Sequence, residues 1–291
     1  MESIVPKLIA SFIFGGGLVA LQAYAAEKVP KQVSGIVLAL PSTIIVNYFF
    51  LGLVLTEDQF KQLLPVIPAP LGFSLIFITA YIYIAKYLYR LFFAKPENWW
   101  QAFKQVFVGR KLNKGQKIIL IALSSVLACA VWLLLSLPLA IYRFDNLKLS
   151  LLIFVVFAAI NHKLIQRGCS KTKVVETIHY TAAQQIARAC FAGLMVATTV
   201  YIGSQLGPFW GGVMAMFPAA FMASMSIIHY YYDYQDLFCF FKATPIGIST
   251  LVVYAAVAHF SFAAYGVWLG TLLAVLVSAI YSWVLSRTLK V

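Results

Sequence analysis

Few residues in this chain have the type and setting to do chemistry. Pro41 and Pro218 fall well inside apolar stretches. Each removes a backbone donor and keeps the preceding turn from closing normally, which frees carbonyl groups. In lipid, such groups need partners or must line a wet cavity. Ser42, Thr43 and Asn47 follow Pro41, and Ser224 stands 177 residues after Asn47. Pro70 and Pro245 mark the start of the next apolar stretch in each half. Pro41, Ser42, Thr43, Asn47, Pro70, Pro218, Ser224 and Pro245 are therefore the candidate substrate-binding residues. Hydroxyls, one amide and freed carbonyls suit a ligand without net charge, with Asn47 or Ser42 on one wall of a cavity, Ser224 opposite, and Val46 facing lipid. The competing reading is a pair of proline kinks satisfied by Ser or Thr on neighbouring helices. His229 lies beside the run Tyr230, Tyr231, Tyr232, Asp233 and Tyr234. It is the candidate pH-sensitive group, set against a hydrogen-bonded structural histidine.

Other chemistries find no support. The apolar stretches hold no Asp or Glu at depth, which argues against a cation pump or a carboxylate proton relay. No P-loop, nucleophile elbow or metal-spaced His/Asp/Glu cluster is present, so the chain reads as a non-enzyme with no metal and no cofactor. Cys129, Cys169, Cys190 and Cys239 form no C-x-x-C pair. They read as small apolar side chains or free thiols, not as a zinc site or a disulfide frame.

The elements that must position these residues are membrane helices. Of 291 residues, 62% are apolar and 11% charged, with a mean hydropathy of +0.88. A soluble domain is nearer 45–50% apolar and about 25% charged. The fold class is thus an all-α polytopic membrane protein. Nine spans are expected, at 7–26, 33–55, 66–92, 117–142, 148–165, 187–204, 208–230, 238–260 and 264–286. With nine spans, eighteen Lys and Arg fall on one side of the membrane and only Lys7, Lys61, Arg143 and Lys148 on the other. The positive-inside bias then puts the N-terminus outside and the C-terminus in the cytoplasm of an inner, cytoplasmic membrane. It also accounts for the net charge of +13 without nucleic acid. Lys7 and Ala23-Tyr24-Ala25 imitate a cleavable signal, yet the segment recurs later in the chain, so a retained span is expected. Asn98–Leu112, within the cytoplasmic segment 94–116, reads as an amphipathic helix in the headgroup plane, and Lys171–Ala187 as a second. Thr56-Glu57-Asp58-Gln59 reads as a capped helix start, with Asp236 in a similar role.

An internal repeat organises the chain. At a shift of 177, Phe14, Gly16, Val19, Ala20 and Tyr24 meet Phe191, Gly193, Val196, Ala197 and Tyr201, Gly35 meets Gly212, and Pro41 meets Pro218. At 175, Pro70-Leu71-Gly72-Phe73-Ser74 meets Pro245-Ile246-Gly247-Ile248-Ser249. Two four-span units follow, at 1–142 and 187–291, joined by 143–186, which carries one linker span and a basic cytoplasmic loop. Five spans separate equivalent points. That number is odd, so the units enter the membrane in opposite directions, an arrangement that recurs in secondary transporters.

The stretch Phe209-Trp210-Gly211-Gly212-Val213-Met214-Ala215-Met216-Phe217-Pro218, followed by Ile228-His229-Tyr230 and the later Pro245, resembles the small four-span GlpM-type membrane proteins. The first half shares Gly35 and Pro41 but has Gly52 where His229 would fall. The resemblance implies a duplicated version of that family, linked to alginate exopolysaccharide production, and supplies no site residues. The expected function is a transporter or channel-like protein with inverted-repeat alternating access for a neutral, amphiphilic or lipid-like solute. The alternative is a non-transporting accessory protein of exopolysaccharide or envelope biogenesis. The expected partners are membrane lipids and the small solute, with a homo-oligomer left open.

Overall fold

The computed structural model describes residues 4–28, 42–93, 112–169, 181–242 and 244–288. Gly35, Pro41, the side chain of Ser42 and nearly all of the first amphipathic segment lie outside the described residues. Every described element is an α-helix. In chain order they are α1 (Ile4–Lys28), α2 (Ser42–Val54), α3 (Glu57–Lys61), α4 (Leu63–Val66), α5 (Pro68–Phe93) and α6 (Lys114–Ile141). The rest are α7 (Leu147–Gly168), α8 (Ala182–Leu206), α9 (Pro208–Ala215), α10 (Ala219–Tyr231), α11 (Tyr234–Phe240) and α12 (Thr244–Thr288). Among the described residues, seven stretches are long and apolar enough to cross a membrane, and Thr43–Val54 is a shorter apolar helix. The protein is an all-α, multi-pass membrane protein.

Local chemistry sets the helix starts. Thr56 and Gln59 cap α3 reciprocally, as their order predicts. Asn113 with Gln116 does the same for α6, and Thr181 with Gln184 for α8. Because Thr181 caps α8, residues 182–187 belong to a spanning helix rather than to a second amphipathic one. Asp233 caps α11, with Asp236 accepting from the Asp233 N–H at 3.3 Å. The expected span 238–260 is therefore divided: 238–240 finish α11, and a new helix begins at Thr244.

Gly266 breaks α12 with φ 73°, in the region that favours glycine. The chain doubles back there. The Ser261 hydroxyl donates to the Gly270 carbonyl at 3.0 Å, and Ser249 and Tyr281 share a hydrogen bond of 3.1 Å. Both pairs are centred on the break, so the arms run antiparallel.

The contact between α1 and α8 also has a direction. A β-carbon on Gly16 would stand 2.7 Å from the Ala189 carbonyl oxygen, and one on Gly193 would collide with the Phe12 carbonyl. Moving up α1 from Phe12 to Gly16 moves down α8 from Gly193 to Ala189, so the helices cross antiparallel. Ala189 is the 177-residue equivalent of Phe12, and Gly193 of Gly16. Each helix thus offers its partner the same two positions, as two copies related by a two-fold axis do. Glycine is required because backbone meets backbone.

α5 is the most enclosed helix. Ala69, Leu75, Phe77, Ile78, Tyr81, Ile82 and Ala85 are fully buried along it. α7 covers one of its sides: Asn161 donates to the Leu75 carbonyl and to Thr79, both at 2.7 Å, and the Ala69 N–H donates to Ser150 at 2.9 Å.

Two expectations need correction. Cys169 and Cys239 form a disulfide, with α-carbons 4.9 Å apart. The ends of α7 and α11 meet closely, since a β-carbon on Gly168 would strike the Phe238 ring. A contact across 70 residues leaves no local cysteine pattern to read. Val46, expected to face lipid, is buried with Phe50, Val196 and Val200.

Candidate functional site

The break between α9 and α10 is the chemical centre of the bundle. Pro218 has no N–H to give the Met214 carbonyl, and the Ala219 N–H turns to the Phe217 carbonyl at 2.8 Å. The carbonyls of Met214 and Ala215 thereby lose their α-helical donors, and Met214 accepts from the Phe217 N–H at 3.0 Å instead. Side chains from other helices reach the break: Asn47 on α2 donates to Ala215 at 3.1 Å, and Ser74 on α5 to Met216 at 2.8 Å. The Thr199 hydroxyl on α8 lies 3.2 Å from the Met214 carbonyl, but its one proton has a nearer acceptor in Met195 at 2.9 Å. Ser74 also lies 3.0 Å from its own Pro70 carbonyl, but its single proton serves one acceptor at a time. Trp132 on α6, fully buried, donates its indole N–H to the Ser74 oxygen at 3.2 Å.

A second serine–aromatic pair lies within α12, where Ser249, matched to Ser74 at the 175-residue shift, shares a hydrogen bond of 3.1 Å with Tyr281 on the outer arm.

The candidate residues are divided between roles. Asn47 is 4% exposed and anchors the break. Thr43 is half-buried near the start of α2. Ser224 is half-buried and donates to the Ala220 carbonyl of its own helix at 2.8 Å. Pro70 and Pro245 lie in the first turns of α5 and α12, where proline is compatible with helix initiation. The residues that sequence reasoning missed are Ser74, Thr199 and Trp132. Only Ser74 carried a signal, its alignment with Ser249.

Beside the centre, at the end of α2, an aromatic cluster closes the bundle. Phe60 stacks on Phe262 at 4.8 Å, and Tyr48 meets Tyr254 edge-on at 5.7 Å. Among the described residues, the hydroxyls of Tyr48 and Tyr254 and the Asn47 carbonyl oxygen are buried without a hydrogen-bond partner. This is the hairpin end of the molecule, next to Gly266.

The opposite, basic end holds His229. It is 4% exposed, and its Nδ1 lies 3.0 Å from the Tyr81 hydroxyl. The ring borders a cavity of about 30 Å³ shared with Tyr89, Lys117, Tyr232, Asp233 and Gln235, enough for one water. Lys117 donates to the Tyr230 carbonyl at 3.2 Å, tying α6 to the end of α10. Among the described residues, no three His, Cys, Asp or Glu side chains are grouped to hold a metal ion.

No family model, curated protein or solved structure matches the chain.

Proposed function

We propose that the protein is a transporter with nine spans, in which two inverted four-span units exchange conformations to open a central site alternately to each side. The observation that carries this reading is the reciprocal α1–α8 contact. Gly16 faces Ala189 and Gly193 faces Phe12 across antiparallel helices, as inverted repeats require. The site has an amide, hydroxyls, broken-helix carbonyls and aromatic walls, with no carboxylate. It suits a neutral, amphiphilic or lipid-like solute. The N-terminus is placed outside and the C-terminus in the cytoplasm by the excess of basic residues at one end.

A second reading is favoured by one observation: the break at Pro218 is filled, with Asn47 and Ser74 holding the carbonyls of Ala215 and Met216 and the Phe217 N–H that of Met214. A permanently filled centre suits an accessory membrane protein of envelope or exopolysaccharide biogenesis, in line with the GlpM-type resemblance. Proteoliposomes separate the two. Movement of fluorescent lipid analogues or neutral amphiphiles should exceed that of protein-free vesicles and fall at least tenfold in Asn47→Leu. Val126→Leu, at a 66% exposed position, should match the unaltered protein. Equal rates in Asn47→Leu and the unaltered protein, or no movement above protein-free vesicles, would leave the accessory reading.

A further inference from the structure

We propose that His229 and Tyr81 form a proton-binding latch, and that a proton taken up at the basic end releases α10 and opens that end of the bundle. The proposal rests on the alternating-access reading and names the ligand that would drive it.

His229 is in the last turn of α10, where the helix C-terminus favours a positive charge. Its Nδ1 is engaged by the Tyr81 hydroxyl of α5. The ring also borders a cavity large enough for one water, so a proton has a route that does not cross the apolar core. Among the described residues, the charged and titratable groups facing this place are few. Tyr81 and Tyr89 come from α5 and Lys117 from α6; Tyr232, Asp233 and Tyr234 come from the α10–α11 connection. Ser125 and Ser226 lie beside the Tyr81 hydroxyl. Asp233 already belongs to the capping box of α11.

The step balances without a co-reactant. One proton from solvent hydronium passes through water in the cavity and enters the imidazole, leaving neutral water behind, and the ring becomes an imidazolium that can only donate. Tyr81 must then accept from Nδ1, with its own proton free to turn towards Ser125 or Ser226. The new charge stands near the Lys117 ammonium, whose contact with the Tyr230 carbonyl ties α10 to α6. Like charges repel, and a buried charge favours any conformation that lets water reach it. Both effects loosen the same contact. With no Asp or Glu at depth in the spans, an imidazole is the group through which proton uptake could be coupled to movement.

The test uses the full chain in lipid nanodiscs with Cys129→Ser and Cys190→Ser, leaving the Cys169–Cys239 bond intact. Nitroxide labels at Lys114→Cys and Tyr231→Cys report the distance between α6 and the end of α10 by pulsed electron resonance. Between about pH 8 and pH 3.5, a window that covers a buried imidazole beside a like charge as well as an exposed one, the distance should lengthen along a one-proton curve. His229→Gln and His229→Asn, which keep a polar side chain that does not titrate, should abolish the change, whereas His259→Gln should retain it. An unchanged titration in both His229 variants, or no titration in the parent, overturns the latch. Failure of the transport reading looks different: the distance titrates but no lipid analogue moves. Movement of an analogue with the same rate and pH profile in His229→Gln would sink the latch while sparing that reading.

Discussion

At the hairpin end, Gly52 brings α2 against the turn of α12, where an added β-carbon would come within 2.9 Å of Val267 and 3.2 Å of Phe262. The equivalent position at the basic end is His229, whose ring reaches Tyr81 where the second unit has the small Ala256. One end therefore closes by direct packing of aromatic rings on a glycine surface. The other closes through a polar side-chain pair beside a cavity. The two stretches matched at the 177-residue shift therefore close their ends in different ways. The difference teaches that one sequence pattern can carry two kinds of closure, one apolar and one polar. α7 adds to the asymmetry, since it packs on α5 through Asn161 and Ser150 and has no counterpart in the second unit.

The comparison breaks most severely at the α1–α8 crossing. Gly193→Leu forces a side chain into the Phe12 backbone, and Gly16→Leu one into that of Ala189, neither of which can yield. Each should cost about 3 kcal/mol or more and greatly reduce the folded, monodisperse fraction in detergent. Gly17→Leu, where nothing lies within 4 Å, should change that fraction little.

A smaller effect separates the two Ser-centred pairs. Trp132→Ala should cost about 3–5 kcal/mol in thermal unfolding, because it empties a fully buried site and removes the donor to Ser74. Tyr281→Ala, at a half-buried position, should cost less than half as much. Equal costs would mean that the first unit is no more tightly packed than the second.

How much of this could be read beforehand depends on range. The Thr56–Gln59 cap and the glycine positions of α1 and α8 were legible, because each is a pattern within one segment or a fixed shift between two. The bonds at the Pro218 break were not. The Met216 carbonyl accepts from Ser74, 142 residues away, and no local pattern marks either partner. The Cys169–Cys239 bond was hidden for the same reason. It also bears on orientation, since disulfides persist in oxidising compartments while the positive-inside bias of the proposed topology would put this end in the cytoplasm. Labelling from each side of the membrane decides between the two.

That measurement also tests the inverted relation of the units. Asp58 and Gln235 are equivalent at the 177-residue shift, and both are exposed at helix starts. Single cysteines placed at each, with Cys129 and Cys190 replaced and the disulfide kept, can be challenged with a membrane-impermeant maleimide on intact spheroplasts. Inverted units predict that Asp58→Cys reacts from outside, and Gln235→Cys reacts only after the membrane is opened. Labelling of both positions from the same side would contradict the inverted repeat and the alternating access built on it.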